Sequence, residues 1–179
     1  IDVAESKTGN LLLGVGYSDD ERVFIQAQVS RKNLFGSGKA IEMSLDRSQV
    51  KQVYELEYVN PYYTQDGISR GIFARQKNVE AGFGTTAGYI ANSSTFGIRY
   101  RIPTSEYNAL DLSGAYEKIE LISIDNTPSE YTSFIDKYRS NKGAVVTVSF
   151  ARDTRNRFLF PRRGYLSTVA AETAVPGSD

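Results

Sequence analysis

Residues 39–47 read Lys-Ala-Ile-Glu-Met-Ser-Leu-Asp-Arg, a stretch in which apolar and polar side chains alternate strictly. On an extended backbone, Ile41, Met43 and Leu45 lie on one face, and the polar side chains between them lie on the other. A period of two residues is typical of a β-strand whose two faces meet different surroundings. The stretch therefore predicts a strand with one apolar face.

The same alternation recurs along the whole chain. It predicts about nine strands, at residues 10–18, 22–31, 39–47, 54–58, 69–79, 95–102, 110–117, 146–151 and 165–175. Segment 69–79 fits the pattern least well, because Arg75 and Lys77 share the face of Phe73. No segment predicts a convincing helix, and the stretch from about 121 to 142 is expected to be a long polar loop.

Proline supports these strand boundaries. The five prolines, at positions 61, 103, 128, 161 and 176, lie outside the predicted strands or at their ends. This placement is expected because proline has no N–H to donate to a sheet. Turns rich in glycine or proline follow the second, fourth, sixth and eighth strands, whereas longer polar connections follow the fifth and seventh. Short turns on one side and long loops on the other are typical of outer-membrane barrels.

Composition excludes several classes of protein. The chain has 179 residues, with 21 basic and 21 acidic side chains and neither His nor Cys. Zinc fingers, Ser-His-Asp triads and disulfide frameworks therefore cannot be built from it alone. A net charge of zero argues against a nucleic-acid interface. The sequence also lacks the roughly 20 consecutive apolar residues of a membrane-spanning helix.

Strand length and tyrosine placement favour a membrane barrel over a soluble β-sandwich binding module. Most predicted strands have 8 to 11 residues, close to the roughly 9 to 11 that a tilted strand needs to cross a membrane. Tyrosines cluster near the predicted strand ends, where an aromatic girdle meets the headgroups. These tyrosines are at positions 17, 54, 58, 62, 63, 100, 107, 116 and 165. We therefore predict an all-β, antiparallel, up-and-down transmembrane β-barrel.

Nine strands are expected to be part of a larger barrel. Bacterial single-chain barrels close with an even number of strands. An open sheet in lipid would leave edge backbone groups unsatisfied. Residues 1–5 begin in the middle of a pattern, so an upstream domain is also expected.

Three segments carry a resemblance to a known family. Residues 9–17 read Gly-Asn-Leu-Leu-Leu-Gly-Val-Gly-Tyr, residues 33–38 Asn-Leu-Phe-Gly-Ser-Gly, and residues 60–69 Asn-Pro-Tyr-Tyr-Thr-Gln-Asp-Gly-Ile-Ser. Together with 102–103, 106–108, 153–164 and 175–179, they resemble, in the same order, the BamA family of outer-membrane protein insertases. The resemblance implies a 16-stranded barrel preceded by periplasmic POTRA domains. Residues 1–8 would be the tail of the last POTRA domain, and 9–179 would be barrel strands one to nine.

The resemblance also implies a site. The first strand would be one side of a lateral gate, formed by Asn10, Leu11, Leu12, Leu13, Gly14, Val15, Gly16 and Tyr17. Gly14 and Gly16 suit such a role, because glycine weakens strand packing. The periplasmic turns would contain Gly36, Gly38, Pro61, Gly67, Pro103, Pro161, Arg162, Arg163 and Gly164.

The implied function is non-enzymatic and needs no cofactor or metal. The protein would fold and insert other β-barrel proteins into the bacterial outer membrane. Its partners would be unfolded outer-membrane proteins, periplasmic accessory lipoproteins and outer-membrane lipid, with no nucleic acid. A passive porin-like barrel is the alternative, as is a related translocation-assembly barrel. The latter is kept open by Arg162-Arg163, which stand where relatives carry an acidic or polar residue.

Three further patterns are better explained by structure than by chemistry. Glu55 and Glu57 share a face and could form a glycosidase pair, but a hydrated lumen wall is the simpler interpretation. Residues 82–87 match G-x-G-x-x-A, yet no amphipathic helix follows, so a loop is expected. Arginines at 152, 155, 157, 162 and 163 predict a solvated turn with ion pairs to Asp153, or a contact with lipid phosphates or an acidic accessory protein.

Overall fold

The chain folds into nine strands and one short α-helix. The structure, a computed structural model, describes residues 9–19, 21–81, 89–123, 127, 129–157 and 160–175. The strands are β1 (Gly9–Ser18), β2 (Arg22–Arg31), β3 (Ala40–Arg47), β4 (Lys51–Asn60), β5 (Ser69–Ala81), β6 (Tyr89–Pro103), β7 (Asn108–Ser123), β8 (Ser140–Asp153) and β9 (Leu166–Val175). A 3-10 turn spans Leu34–Gly36, and helix α1 spans Ser129–Lys137.

All nine strands belong to one sheet with the order β1 to β9. Each strand is antiparallel to its neighbours in sequence, so the chain runs up and down without a crossover. The predicted all-β, up-and-down fold is confirmed. Closure by a total of 16 strands stays a prediction, and the expected POTRA tail at 1–8 lies outside the described residues. No helix in the described part of the chain is long and apolar enough to cross a membrane.

The apolar face is continuous across the whole sheet. Residues paired directly across antiparallel strands share a face, so the register defines rows that run from β1 to β9. One such row is Leu11, Val29, Met43, Leu56, Ala74, Phe96, Tyr116, Ala144 and Val175. Every member is apolar or aromatic, yet Phe96 is 63% exposed. A single-layer sheet with such a face needs an apolar medium around it.

The opposite face is polar and is cross-linked between strands. One of its rows is Gln28, Ser44, Glu55, Arg75, Thr95 and Glu117, from β2 to β7. The Nε and Nη2 atoms of Arg75 donate to Oε2 of Glu55 at 3.1 and 2.9 Å. The hydroxyl of Thr95 donates to a carboxylate oxygen of Glu117 at 3.3 Å. This pattern supports the interpretation of the carboxylates as part of a hydrated wall.

The ambiguous segment 69–79 is a regular strand whose register the structure defines. In β5, Phe73 shares the polar face with Arg75 and Lys77, and Ile72 lies on the apolar face between Tyr58 and Ile98. Phe73 is only 8% exposed despite this position. A buried aromatic ring on a charged face explains why periodicity alone could not assign the faces.

The expectation of a loop without a helix between 121 and 142 was wrong. β7 continues to Ser123, and β8 begins at Ser140. Between them, α1 buries Ile135 to 4% exposure. The N–H of Leu121 donates to the carbonyl of Arg139 at 2.9 Å, which links the end of this connection to β7. The predicted loop at 82–87 lies outside the described residues.

Candidate functional site: an unprotected edge strand

Strand β1 lies at one edge of the sheet. It pairs with β2 through ten consecutive residues, from Gly9 opposite Arg31 to Ser18 opposite Arg22. Among the described strands, β1 has this one hydrogen-bonded neighbour. In an antiparallel pair, about half of an edge strand's backbone N–H and C=O groups point away from the partner. Within the described sheet, the predicted gate strand, Asn10 to Tyr17, therefore presents a row of backbone donors and acceptors on the side away from β2.

Two apolar side chains of β1 are more exposed than a leucine in the middle of the sheet. Leu13 is 70% exposed and Val15 is 76% exposed, whereas Leu56 in the central strand β4 is 43% exposed. The difference arises because a central side chain has neighbours on both flanking strands. A strand added beside β1 would cover these side chains.

β1 has none of the features that normally protect an edge from pairing. Its sequence, Gly-Asn-Leu-Leu-Leu-Gly-Val-Gly-Tyr-Ser, contains neither a charged residue nor proline. The uninterrupted register with β2 leaves no bulge to twist it away. Exposed, regular and apolar edges of this kind are templates for another strand. Chemically, the site can accept an extended peptide by β-augmentation.

The two gate-strand glycines differ in their surroundings. A Cβ atom at Gly16 would lie 2.2 Å from Cζ of Phe24, the residue directly opposite on β2. The phenyl ring of Phe24 thus fills the space that a side chain at position 16 would need. A Cβ atom at Gly14 would be 3.9 Å from Gln26, an ordinary contact. Gly16 therefore makes room for a ring that covers β1.

The attachment of β1 to the sheet differs from that of the central strands. Because β1 carries no charged side chain, no side-chain ion pair can join it to β2. By contrast, β4 and β5 are joined by Arg75 and Glu55 at 2.9 Å, and β4 and β6 by Arg99 and Glu57 at 3.3 Å. Such exposed pairs each contribute little. They nevertheless link strands in the middle of the sheet through side chains, and β1 has no such ionic link.

The predicted periplasmic turns all lie at one end of the sheet. This follows from the antiparallel order, since they connect β2 to β3, β4 to β5, β6 to β7 and β8 to β9. Gly36, Gly38, Gly67 and Gly164 have positive φ values of 74, 71, 81 and 89°. These values explain glycine there, because other residues rarely adopt them. Pro61 and Pro103 flank the second and third of these turns.

The turn between β8 and β9 is held by its own polar groups. The side-chain oxygen of Asn156 accepts from the backbone N–H groups of Arg162 and Arg163 at 3.1 and 3.2 Å. Pro161 precedes these two arginines, and a Cβ at Gly164 would lie 2.1 Å from the carbonyl oxygen of Thr154. Both the close approach of the Thr154 carbonyl and the positive φ therefore require glycine at position 164.

The predicted ion pair in this turn is present. Arg155 donates from Nη2 to Oδ2 of Asp153 at 2.8 Å and from Nε to Oδ1 at 2.9 Å. These hydrogen bonds, first from the Arg155 side chain and then from its backbone, lower the pKa of Asp153 to about 2. The carboxylate therefore stays ionised throughout the neutral and mildly acidic range. The predicted site residues thus form a free edge along β1 and a separate set of turns at one end.

Several contributing residues were missed by sequence reasoning. Phe24 and Asn156 belong to no motif. The role of Phe24 depends on Gly16 lying opposite it, and that of Asn156 on the turn that brings Arg162 and Arg163 to its side chain. Glycines inside the strands are a partial signal for this kind of packing, because Gly16 and Gly97 each lie opposite a phenylalanine. These pairs can be recognised only when the register of the strands is known.

Comparison with known proteins agrees with this architecture. The Omp85 superfamily domain matches residues 33–179 of the chain. The outer membrane protein assembly factor BamA of Neisseria meningitidis is 32% identical over an alignment of 187 residues, covering 98% of this chain and 24% of that protein. The protein of the same name from Nitratidesulfovibrio vulgaris is 25% identical, covering 92% of this chain and 20% of that protein. The chain thus spans a quarter or less of the length of these curated relatives.

A solved structure shares the fold. The crystal structure of BamA from Haemophilus ducreyi lacking POTRA domains 1–3 matches with a TM-score of 0.79 and 20% identity. The match covers 97% of this chain and 35% of that chain. The nine-stranded sheet therefore has the fold of part of that protein.

Proposed function

The chain belongs to the Omp85 superfamily, and from this membership we propose that it forms part of a barrel that assembles other β-barrel proteins. The protein lies in the bacterial outer membrane, as its family and named relatives do. Two relatives are named outer membrane protein assembly factors, which supports carrying their activity over to this chain. The proposed activity involves no covalent chemistry.

One observation carries the proposal: β1 is a charge-free edge with an uninterrupted register of ten residues. We infer that it is one side of a lateral gate. An unfolded outer-membrane protein would place its first strand on the free backbone groups of β1, and main-chain hydrogen bonds would provide the binding energy. The next hairpin would then pair with that strand, and the growing sheet would leave through the open seam.

We propose the remaining partners from the family membership, and the two faces and the turn end of the sheet support where each would lie. The apolar rows would contact lipid, and the polar face would line a hydrated lumen. Accessory lipoproteins would approach the end that carries Gly36, Gly67 and Gly164, because that end would face the periplasm. Closure by a total of 16 strands and a preceding POTRA domain are parts of the same proposal.

A disulfide lock tests the gate. The chain contains no Cys, so pairs can be introduced into an unreactive background. In the full-length protein, Leu13→Cys combined with a cysteine on the barrel's last strand would close the seam. We expect insertion of a second barrel protein into liposomes to be lost and to return on reduction.

A second lock serves as a matched control. Leu13 lies directly opposite Ala27, and paired residues in antiparallel strands lie within disulfide range. Leu13→Cys with Ala27→Cys would fix β1 to β2 while leaving its other edge free. Insertion should continue in this variant. If the seam lock leaves insertion unchanged, the gate is wrong and a passive barrel becomes the better explanation.

A further inference from the structure

Three arginines on the polar face lie beside carboxylates, and one of them, Arg99, also stacks on Phe73. On the polar face, Arg75, Arg99 and Arg101 lie 2.9, 3.3 and 3.6 Å from carboxylates of Glu55, Glu57 and Asp111. Each of these cations thus has a counter-charge within the protein.

Two arginines at the turn end of the apolar face are stacked on aromatic rings instead. Arg70 lies opposite Asn60 and Tyr100, and its guanidinium carbon is 4.0 Å from the ring centre of Tyr63. Arg31 lies opposite Ile41, and its guanidinium carbon is 5.5 Å from the ring centre of Phe35. None of the ion pairs among the described residues involves either arginine.

The Arg70 site is built around its ring. The rings of Tyr63 and Tyr100 meet edge to face, with centres 6.1 Å apart. This contact fixes the surface on which the guanidinium rests. A guanidinium stacked through its flat face keeps the N–H groups on its edge directed outward, and these match the oxygens of a phosphate.

The position of Arg70 along the membrane normal indicates which kind of anion it would bind. The next residue toward the middle of the apolar face is Ile72, which lies between Tyr58 and Ile98 in the neighbouring strands. On β5, Arg70 is therefore the last residue of the apolar face, which places it at the level of lipid headgroups. Basic side chains at this level attract anionic headgroups.

We propose that Arg70, stacked on Tyr63 beside Tyr100, binds the phosphodiester of a membrane phospholipid. The lipid supplies the counter-charge that the polar-face arginines obtain from carboxylates. Arg31 on Phe35 repeats the arrangement on β2. The proposal depends on the membrane location of the sheet and is independent of the insertase activity.

Lipid binding to the full-length protein tests the site. Detergent-solubilised protein is titrated with phosphatidylglycerol, and bound lipid is counted by native mass spectrometry. Arg70→Gln should raise the dissociation constant of the most tightly bound lipid about tenfold, because it removes a charge-assisted interaction with phosphate. Tyr63→Leu, a change in an exposed turn, should weaken it severalfold by releasing the guanidinium from its ring.

The matched control is Arg47→Gln. Arg47 lies on the apolar face opposite Ile25, at the other end of the sheet. It has no stacked ring among the described aromatic contacts, so lipid binding should change less than about twofold. Unchanged binding in Arg70→Gln, or an equal loss in Arg47→Gln, would overturn the proposal. Displacement of the lipid by millimolar inorganic phosphate would also overturn it, since the site would then select a free anion.

Discussion

Gly97 shows how one missing side chain organises the polar face. A Cβ atom at this position would lie 2.5 Å from Cζ of Phe73 and 2.9 Å from Cβ of Ala115. The Phe73 ring therefore occupies the space above Gly97. The guanidinium carbon of Arg99 lies 4.8 Å from the centre of that ring, and its Nε lies 3.3 Å from Glu57. The absence of a side chain at Gly97 thus allows a ring, a cation and a carboxylate to pack together across three strands.

Adding one methyl group at Gly97 should disturb this packing. We expect Gly97→Ala to lower the free energy of unfolding by about 1 to 3 kcal/mol, because overpacking forces a ring or backbone to move. The matched control is Gly114→Ala, since a Cβ there meets nothing within 4 Å. Its effect should stay within about 0.5 kcal/mol. Urea unfolding of the full-length barrel in micelles provides the measurement, and equal losses in both variants would contradict the packing argument.

The strands were predictable where their two faces differ and unpredictable where they do not. The expected segment 22–31 matches β2, and 39–47 matches β3 to within one residue. By contrast, β6 begins at Tyr89 rather than 95, and β7 ends at Ser123 rather than 117. The β6 extension carries polar side chains on both faces, such as Asn92 and Ser93, so no alternation marks it. In the β7 extension the alternation is reversed, because Lys118 and Glu120 lie on the face of Tyr116. The two extensions are strands because they pair with each other, from Tyr89 opposite Ser123 to Ser94 opposite Lys118.

The helix and the edge contacts escaped prediction for a related reason. Helix α1 is rich in Ser, Thr, aromatic and β-branched residues, which have modest helix propensity, and it is stabilised by burial of Ile135. The role of β1 as one side of a gate was predicted mainly from the family resemblance, and it stays a prediction. The ring that covers Gly16 was not predicted, because only the register places Phe24 opposite it.

Phe24 should control how readily β1 separates from the sheet. Phe24→Ala removes the ring over Gly16, and loss of such a contact weakens the β1–β2 pair by roughly 1 to 2 kcal/mol. Amide hydrogen exchange in β1 should then accelerate about tenfold. Gln26→Ala, at the residue opposite Gly14, removes no ring that covers β1 and should leave these rates nearly unchanged. Acceleration spread evenly over all strands would instead indicate global destabilisation.

The sheet as a whole has two surfaces and almost no interior. Among the described residues, the buried apolar side chains are Phe73, Ala109 and Ile135, too few for a soluble domain of this length. Stability must therefore come from paired backbones and from the apolar rows in lipid. This division explains why a mean hydropathy of −0.37 conceals a membrane protein, since polar residues make up the other face.

Placing the same charge on each face tests this division. Ala74 lies on the apolar face between Leu56 and Phe96, and Ser44 lies on the polar face between Gln28 and Glu55. We expect Ala74→Arg to lower the free energy of unfolding in phospholipid vesicles by about 2 to 4 kcal/mol, the cost of a cation near the middle of the bilayer. Ser44→Arg meets water and a carboxylate, so its effect should stay below about 1 kcal/mol. Equal effects would mean that both faces meet the same medium, and a transmembrane wall would then be ruled out. A larger loss at position 44 would mean that the faces had been assigned the wrong way round.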